Sequence, residues 1–241
     1  MIVNLLSNGK FDYFPKQVYM DIFRLEHLIK LSICDDSVRD DVITECLDDV
    51  IDFEKTGVIK TSADLSIFDR VYLMLMQRIE LQGTEMEMIV KCGNCGARNT
   101  VILDFTKVKE IFVKNVYNVD YVNLVVPSYS RVRYINKVFN SFIEGLSDSD
   151  KEKYLDEDGS LKTAYLIYRN FLYYMKDYDE YLDRLDIVFE KLGSMSGKFI
   201  NDFRKFTESC LGRLEYNETY KCISCGNVRK VEYDFGDVNF F

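Results

Sequence analysis

The chain has 241 residues, 47% apolar and 29% charged, a balance that supports a folded core and excludes a disordered protein. Its 31 basic and 40 acidic side chains leave a net charge of −9, which opposes long-range attraction to nucleic acid or an anionic membrane surface. No apolar run approaches the roughly 20 residues that cross a bilayer, and Met1–Leu6 lacks the basic start of a signal peptide, so the chain reads as soluble and unexported.

Ser7-Asn8-Gly9 is a hairpin-turn signal and predicts strands over residues 2–6 and 11–22. Apolar residues at helical spacing predict helices over 23–33 and 38–53. The second buries Val42, Ile43, Cys46, Leu47, Val50 and Ile51 and turns Asp40, Asp41, Asp48 and Asp49 to solvent. Ser62 or Asp64 caps a helix over 65–81, so dense in Ile67, Phe68, Val71, Tyr72, Leu73, Leu75, Met76 and Ile79 that it reads as central. After Gln82-Gly83 the period changes to two, giving a strand over 85–90 that runs into Cys92-Gly-Asn-Cys95 and a return strand over 100–105.

β-branched and tyrosine residues over 112–126 predict a further pair of strands, ended by Pro127. Helices follow over 129–145, 161–176, 178–192 and 197–212, then a strand over 213–220, a second C-x-x-C, and a last strand over 229–235. The predicted fold class is α+β, mostly helical with small antiparallel strands. Two prolines and no Ser/Gly-rich linker point to a single intertwined domain over 1–241. Its regions are 1–105 (hairpin, helices and first C-x-x-C), 106–212 (strands, then a helical bundle) and 213–241 (second C-x-x-C and C-terminal strand).

Residues 90–105 and 220–235 repeat one skeleton, K-C-x-x-C-G through V-x-x-D-F, without a gap. A single C-x-x-C is weak, since a redox dithiol has the same letters. Two copies, each followed by glycine, supply the four thiolates of a closed tetrahedral site. Cys92, Cys95, Cys222 and Cys225 are therefore the predicted ligands of one structural zinc in a ribbon-like element built from two distant knuckles. Gly96 and Gly226 give each loop its tight backbone, and Lys91 and Lys221 offset the −2 charge of zinc with four thiolates. One ion per knuckle, completed by Cys46 or His27, is the rival arrangement; a single histidine cannot complete both spheres. Cys34, Cys46 and Cys210 fall in helical patterns, where a cysteine behaves as a small buried hydrophobe. The repeat extends weakly upstream, where Leu73, Met76 and Leu81 align with Phe203, Phe206 and Leu211.

Four thiolates leave no position for a catalytic water, and no other motif carries catalysis. Gly193-Ser-Met-Ser-Gly-Lys198 has three residues between its glycines where a phosphate loop has four. Asp156-Glu-Asp-Gly159 would put Tyr154 and Tyr165 at ligand positions of a calcium loop, so it reads as a polar turn. His27 has no second histidine for a zinc-protease motif. No catalytic residue, small-molecule substrate or other cofactor is predicted. Tyr165, Tyr168, Phe171, Tyr173, Tyr174, Tyr178 and Tyr181 surround one helix and enter the next, as expected of an aromatic core or of a docking surface.

The stretch from Asp64 to Gly83 resembles the baseplate hub assembly proteins of T-even-type, contractile-tailed bacteriophages. Asp69, Leu73, Arg78 and Gly83 keep that family's spacing, Phe23-Arg24 with Glu26 opens a helix upstream, and a strand runs into C-x-x-C-G downstream. The resemblance covers residues 15–125; the N-terminal hairpin and the long helical insertion before the second knuckle depart from it. It implies a non-enzymatic tail protein that builds or helps assemble the baseplate hub through contacts with other baseplate and tail proteins, in the host cytoplasm during assembly or in the virion tail. The alternative is a zinc-ribbon adaptor that binds nucleic acid or transcription machinery through Lys91, Arg98, Lys221, Arg229 and Lys230, which the acidity opposes.

Overall fold

The computed structural model describes residues 1–10, 14–113, 124–182, 184, 185, 187, 194, 197–231, 233 and 235, with backbone alone at 199 and 208–210. The chain forms two compact units, each discontinuous in sequence. The first contains Met1–Ser62, Phe68–Val113 and Gly212–Phe241; the second contains Ala63–Ile67 and Lys114–Leu211. The described residues hold nine α-helices and four antiparallel strand pairs, an α+β architecture.

In the first unit, β1 (Ile2–Asn4) pairs with β2 (Gln17–Tyr19), shorter strands than the alternation predicts. Asn8 (φ 54°) and Gly9 (φ 58°) occupy the left-handed region that reverses the chain; residues 11–13 of the expected strand lie outside the described residues. Helix α1 spans Leu25–Ile33 and α2 spans Arg39–Val50. The helix expected to reach residue 53 stops at Val50, because Ile51 turns extended to bridge Met20 and the Asp52 amide donates to the Tyr19 carbonyl. Asp52 then caps α3 (Phe53–Thr56) by accepting from the Lys55 amide. Of the four aspartates expected to face solvent, Asp48 is half-buried and accepts from the Ser62 amide and the Thr61 hydroxyl, both at 2.6 Å.

Helix α4 (Ile67–Gln82) is central, but polar side chains do as much there as apolar ones. Asp69 is fully buried and accepts from the Ser7 amide at 2.9 Å. Buried Arg70 reaches the Thr44 hydroxyl on α2 at 3.0 Å. Gln77 accepts from the Phe23 amide and donates to the Asp21 carbonyl, each at 2.8 Å. Arg78 donates to the carbonyls of Gly83 (2.8 Å) and Glu85 (2.9 Å), and Gly83 turns the chain at φ 84°. The four family-spaced positions thus have physical roles: Asp69 fixes the N-terminal turn, Leu73 is core, and Arg78 and Gly83 shape the passage from helix to strand.

β3 (Glu85–Lys91) and β4 (Arg98–Asp104) form the longest hairpin among the described residues, close to the predicted bounds. β5 (Lys109–Ile111) pairs with β6 (Arg213–Glu215), and β7 (Thr219–Lys221) with β8 (Val228–Lys230). The tyrosine of α4, Tyr72, donates to Glu110 on β5. Beside β6, a Cβ on Gly212 would lie 2.6 Å from Leu6 Cβ and 2.9 Å from Phe68 Cδ2, so only glycine fits.

The strand pair predicted over 112–126 falls mostly in 114–123, outside the described residues. In the second unit, Leu124 bridges Met175, and Ser128 caps α5 (Tyr129–Glu144). A helix absent from the prediction, α6 (Asp148–Tyr154), follows under a Ser147 cap. The polar turn at 156–159 is present, with Gly159 at φ 81°. Next come α7 (Thr163–Tyr174), α8 (Asp179–Leu182) and α9 (Gly197–Cys210); the rest of the helix expected to 192, and the Gly193–Lys198 turn, lie largely outside the described residues.

The tyrosines of α7 are half-buried against their own unit. Tyr165 packs on Tyr154 (ring centroids 4.8 Å), Phe171 on Phe203 (4.8 Å), and Tyr174 on Phe203 and Phe206. The Arg131 guanidinium lies 4.0 Å over the Tyr178 ring. These contacts place the aromatic cluster in an intramolecular core with a wet rim. Upstream of the two hairpins a helix stands at the same offset in each half, α4 from Ile67 and α9 from Gly197, although α4 lies almost wholly in the first unit and α9 in the second.

Candidate metal centre

The two C-x-x-C loops have the same backbone. In the first, the Cys92 amide donates to Ala97 O (2.9 Å) and the Gly96 amide to Cys92 O (2.8 Å); in the second, Cys222 donates to Asn227 O and Gly226 to Cys222 O, both at 2.9 Å. Gly96 and Gly226 sit at φ 71° and 70°, so each loop is a tight turn that L side chains disfavour. Cys92 and Cys222 are buried, Cys95 and Cys225 exposed.

All four sulfurs lie within 4.8 Å of one another, and they are the group of His, Cys, Asp or Glu side chains among the described residues that converges in this way. Sγ of Cys92 is 3.8 Å from that of Cys225, and Sγ of Cys95 is 3.7 Å from that of Cys222. Those separations are far beyond a disulfide bond of about 2.05 Å. They match the edge of a tetrahedron of sulfurs about 2.3 Å from a central zinc, roughly 3.8 Å. Four nearby cysteines of this geometry can hold a metal ion. Cys46 and His27 lie apart from it, in the core under α2 and in the N-terminal turn of α1, where His27 Nδ1 accepts from the Arg24 amide.

The electrostatics favour a cation. The amides of Cys225 and Ser224 bring the Cys222 thiol down to about 6. The Asn227 amide and the Asn94 side chain lower that of Cys225. At Cys95 the Ala97 amide acts in the same direction, but the neighbouring sulfurs, Cys225 foremost, outweigh it and hold the thiol up at about 12. The backbone thus promotes ionisation while the crowded thiols resist carrying charge together, a conflict that a central divalent ion removes.

Two asparagines that the spacing does not reveal support the cluster. Asn94 donates from Nδ2 toward Cys225 Sγ at 3.7 Å. Asn99, buried on β4, donates to Ala97 O (3.0 Å) in its own loop and accepts from the Ile223 amide (2.9 Å) in the other. One side chain therefore ties both loops together independently of the sulfurs. The signal lies in the alternation of β4, which turns Asn99 inward with Val101 and Leu103: a polar residue on an apolar face requires partners. Arg229 occupies the repeat-equivalent position, its guanidinium carbon 3.9 Å from where a Cβ on Gly93 would stand.

The molecule is thus an α+β protein whose two hairpin tips meet in a four-cysteine cluster, with no helix among the described residues long and apolar enough to cross a membrane. A family model described as T4 bacteriophage base plate protein matches residues 10–241, and the chain belongs to that family. No curated protein and no solved structure matches it.

Proposed function

We propose that the protein is a non-enzymatic factor of the baseplate's central hub, a structural component or an assembly chaperone, that works through contacts with other tail proteins. The family match over residues 10–241 carries this reading. The cysteine geometry supports one structural zinc held by Cys92, Cys95, Cys222 and Cys225 in a zinc-ribbon-like element, because a closed set of four sulfurs leaves no coordination site for substrate or water. We also propose that the chain acts as one intertwined piece: it leaves the first unit after Val113 and returns at Gly212, so neither unit is a continuous module. Its places of action are the infected host's cytoplasm and the virion tail.

Affinity capture of the tagged protein from infected cells, with mass spectrometry of assembly intermediates and finished virions, tests this. Baseplate and tail proteins are expected to co-purify and nucleic acid to be absent at physiological salt. Salt-sensitive nucleic-acid binding that disappears when Arg98 and Lys230 are replaced would overturn the reading in favour of the adaptor.

A further inference from the structure

The joined hairpin tips form a cationic spot on an acidic chain. Residues 90–101 and 219–231 hold Lys91, Arg98, Lys221, Arg229 and Lys230 and no acid; with the whole chain at −9, everything outside these two segments carries −14. Because the four sulfurs lie within 4.8 Å of one another, the residues that flank them are gathered in one place. The Arg229 guanidinium accordingly lies against Gly93 of the other loop. All five cations are exposed, and none forms an ion pair among the described residues, whereas Lys107 and Arg213, farther from the tips, pair with Glu218 and Glu215. Even against the −2 of a zinc with four thiolates, five cations leave the tips positive.

Exposed aliphatic side chains stand among these charges. In the register of β3–β4, Lys91 faces Arg98, Ile89 faces Thr100 and Glu87 faces Ile102, and all six are exposed, so they make one outward face while Asn99, Val101 and Leu103 lie on the other. Ile89 is 69% and Ile102 56% exposed; on the second knuckle Ile223 and Val228 are 82% and 59% exposed. The outward face thus has a cation pair at its tip, a branched apolar side chain about 7 Å behind it, and a carboxylate, Glu87, toward its far end.

We propose that this face docks an extended, acidic segment of a partner protein, its carboxylates toward Lys91, Arg98 and the second knuckle's cations and its aliphatic side chains over Ile89 and Ile102. Glu87 sets the polarity, because it repels an acidic occupant from the far end. At physiological salt fields fade over about 8 Å, so a short segment senses the tips and not the −14 carried elsewhere. A nucleic-acid duplex would extend past the patch onto that acidic surface, and phosphates gain nothing from isoleucine and valine. A two-fold pairing of this face with itself would set like charges against each other. That the partner is a protein rests on the assembly reading; the sign and shape of the face do not.

Fluorescence anisotropy with the full chain, its zinc content measured, tests this with three labelled probes of equal charge: a capped heptapeptide that alternates Glu with Ile and Val, one that alternates Glu with Ser, and a single-stranded oligothymidylate. The Glu-aliphatic peptide is expected to bind most tightly and to weaken as salt rises. Arg98→Glu with Lys230→Glu should weaken it at least about tenfold with zinc content and Tm unchanged, since both side chains are exposed and neither holds the metal. Ile89→Ser with Ile102→Ser should reduce it to the level of the Glu-Ser peptide. Lys137→Glu with Lys176→Glu, the same reversal on exposed lysines of the second unit, should leave it unchanged. Absence of binding, indifference to Arg98→Glu with Lys230→Glu, or equal weakening by the second-unit pair overturns the proposal; tighter binding of the oligonucleotide overturns it in favour of nucleic acid. Capture from infected cells separates the two readings. Tail proteins retained by Arg98→Glu with Lys230→Glu would defeat this docking face and leave the assembly role standing, whereas a wild-type chain that captures none would defeat the assembly role and the protein partner with it.

Discussion

Replacing Cys92 or Cys222 by serine tests whether the four sulfurs act on one ion. The ion must close a loop, and β5–β6 has already closed most of it: with Ile111 paired to Arg213, the chain left to constrain runs over residues 95–111 and 213–222. For about 25 residues the closure entropy is roughly 3 kcal/mol, against about 4 kcal/mol if the whole chain between the knuckles were free. Structural zinc in small peptides binds with about 10–16 kcal/mol, so a zinc ion held by all four sulfurs would outweigh that closure cost by a wide margin. At free zinc 100-fold above the dissociation constant, binding contributes about 2.7 kcal/mol of stability. For a chain of this size that corresponds to a fall in Tm of roughly 5–11 °C when zinc is lost. Metal analysis should find one zinc per wild-type chain and none in either variant, and differential scanning fluorimetry should give the two variants the same reduced Tm. Two ions per chain, or zinc loss from only one of the variants, would refute the shared site.

Asn99→Ala should leave all four cysteines in place yet raise the rate of zinc transfer to a chromogenic chelator. Losing such an outer partner typically weakens metal affinity by about 10–100-fold. Gly212→Ala should lower the urea midpoint by the equivalent of about 1–3 kcal/mol, because its Cβ cannot fit between Leu6 and Phe68. Arg78→Met should destabilise by about 2–3 kcal/mol through the two carbonyls it leaves unbonded, and Arg78→Lys should rescue only part, since one ammonium cannot reproduce the forked contact. Iodoacetamide at pH 8 followed by peptide mapping should label Cys34 well before Cys46. Cys34 is half-buried with its thiol toward Leu31 O, whereas Cys46 is fully buried and desolvation pushes its thiol up to about 11.

What the sequence makes legible here is what repeats locally. The two C-x-x-C-G copies reveal the hairpin tips and the ligand set, because each knuckle is built by its own six residues and the same hydrogen bonds recur in both. The period change at Gln82-Gly83 similarly places α4 and β3 within a residue or two. Structure that depends on distant partners is less visible. The strand expected over 213–220 contains β6, but its partner β5 is three residues long, too short for alternation to register, and nothing local pairs the two. The break between α2 and α3 follows from Ile51 meeting Met20, about which the apolar spacing of 38–53 says nothing. Helix α6 buries only Tyr154 and so has no apolar stripe to detect; its serine cap is its signal. In α4, counting apolar residues finds the helix but misses that Asp69, Arg70, Gln77 and Arg78 are buried, because their partners are backbone groups and side chains outside the helix, distant in sequence for the first three and in the following turn and strand for Arg78.

The three-segment construction of the first unit also sets an order of events during synthesis. The β3–β4 hairpin leaves the ribosome with two of the four thiols, and Cys222 follows Cys95 by 127 positions. At roughly 5–20 residues per second that is a delay on the order of ten seconds. Over that interval all of Lys114–Leu211 is made and is free to fold, while Cys92 and Cys95 can offer an ion only half a coordination sphere. Closure of the four-sulfur site therefore waits for the segment that carries Cys222 and Cys225, and a metal ion held by all four thiols would mark a chain in which that segment has returned to its place.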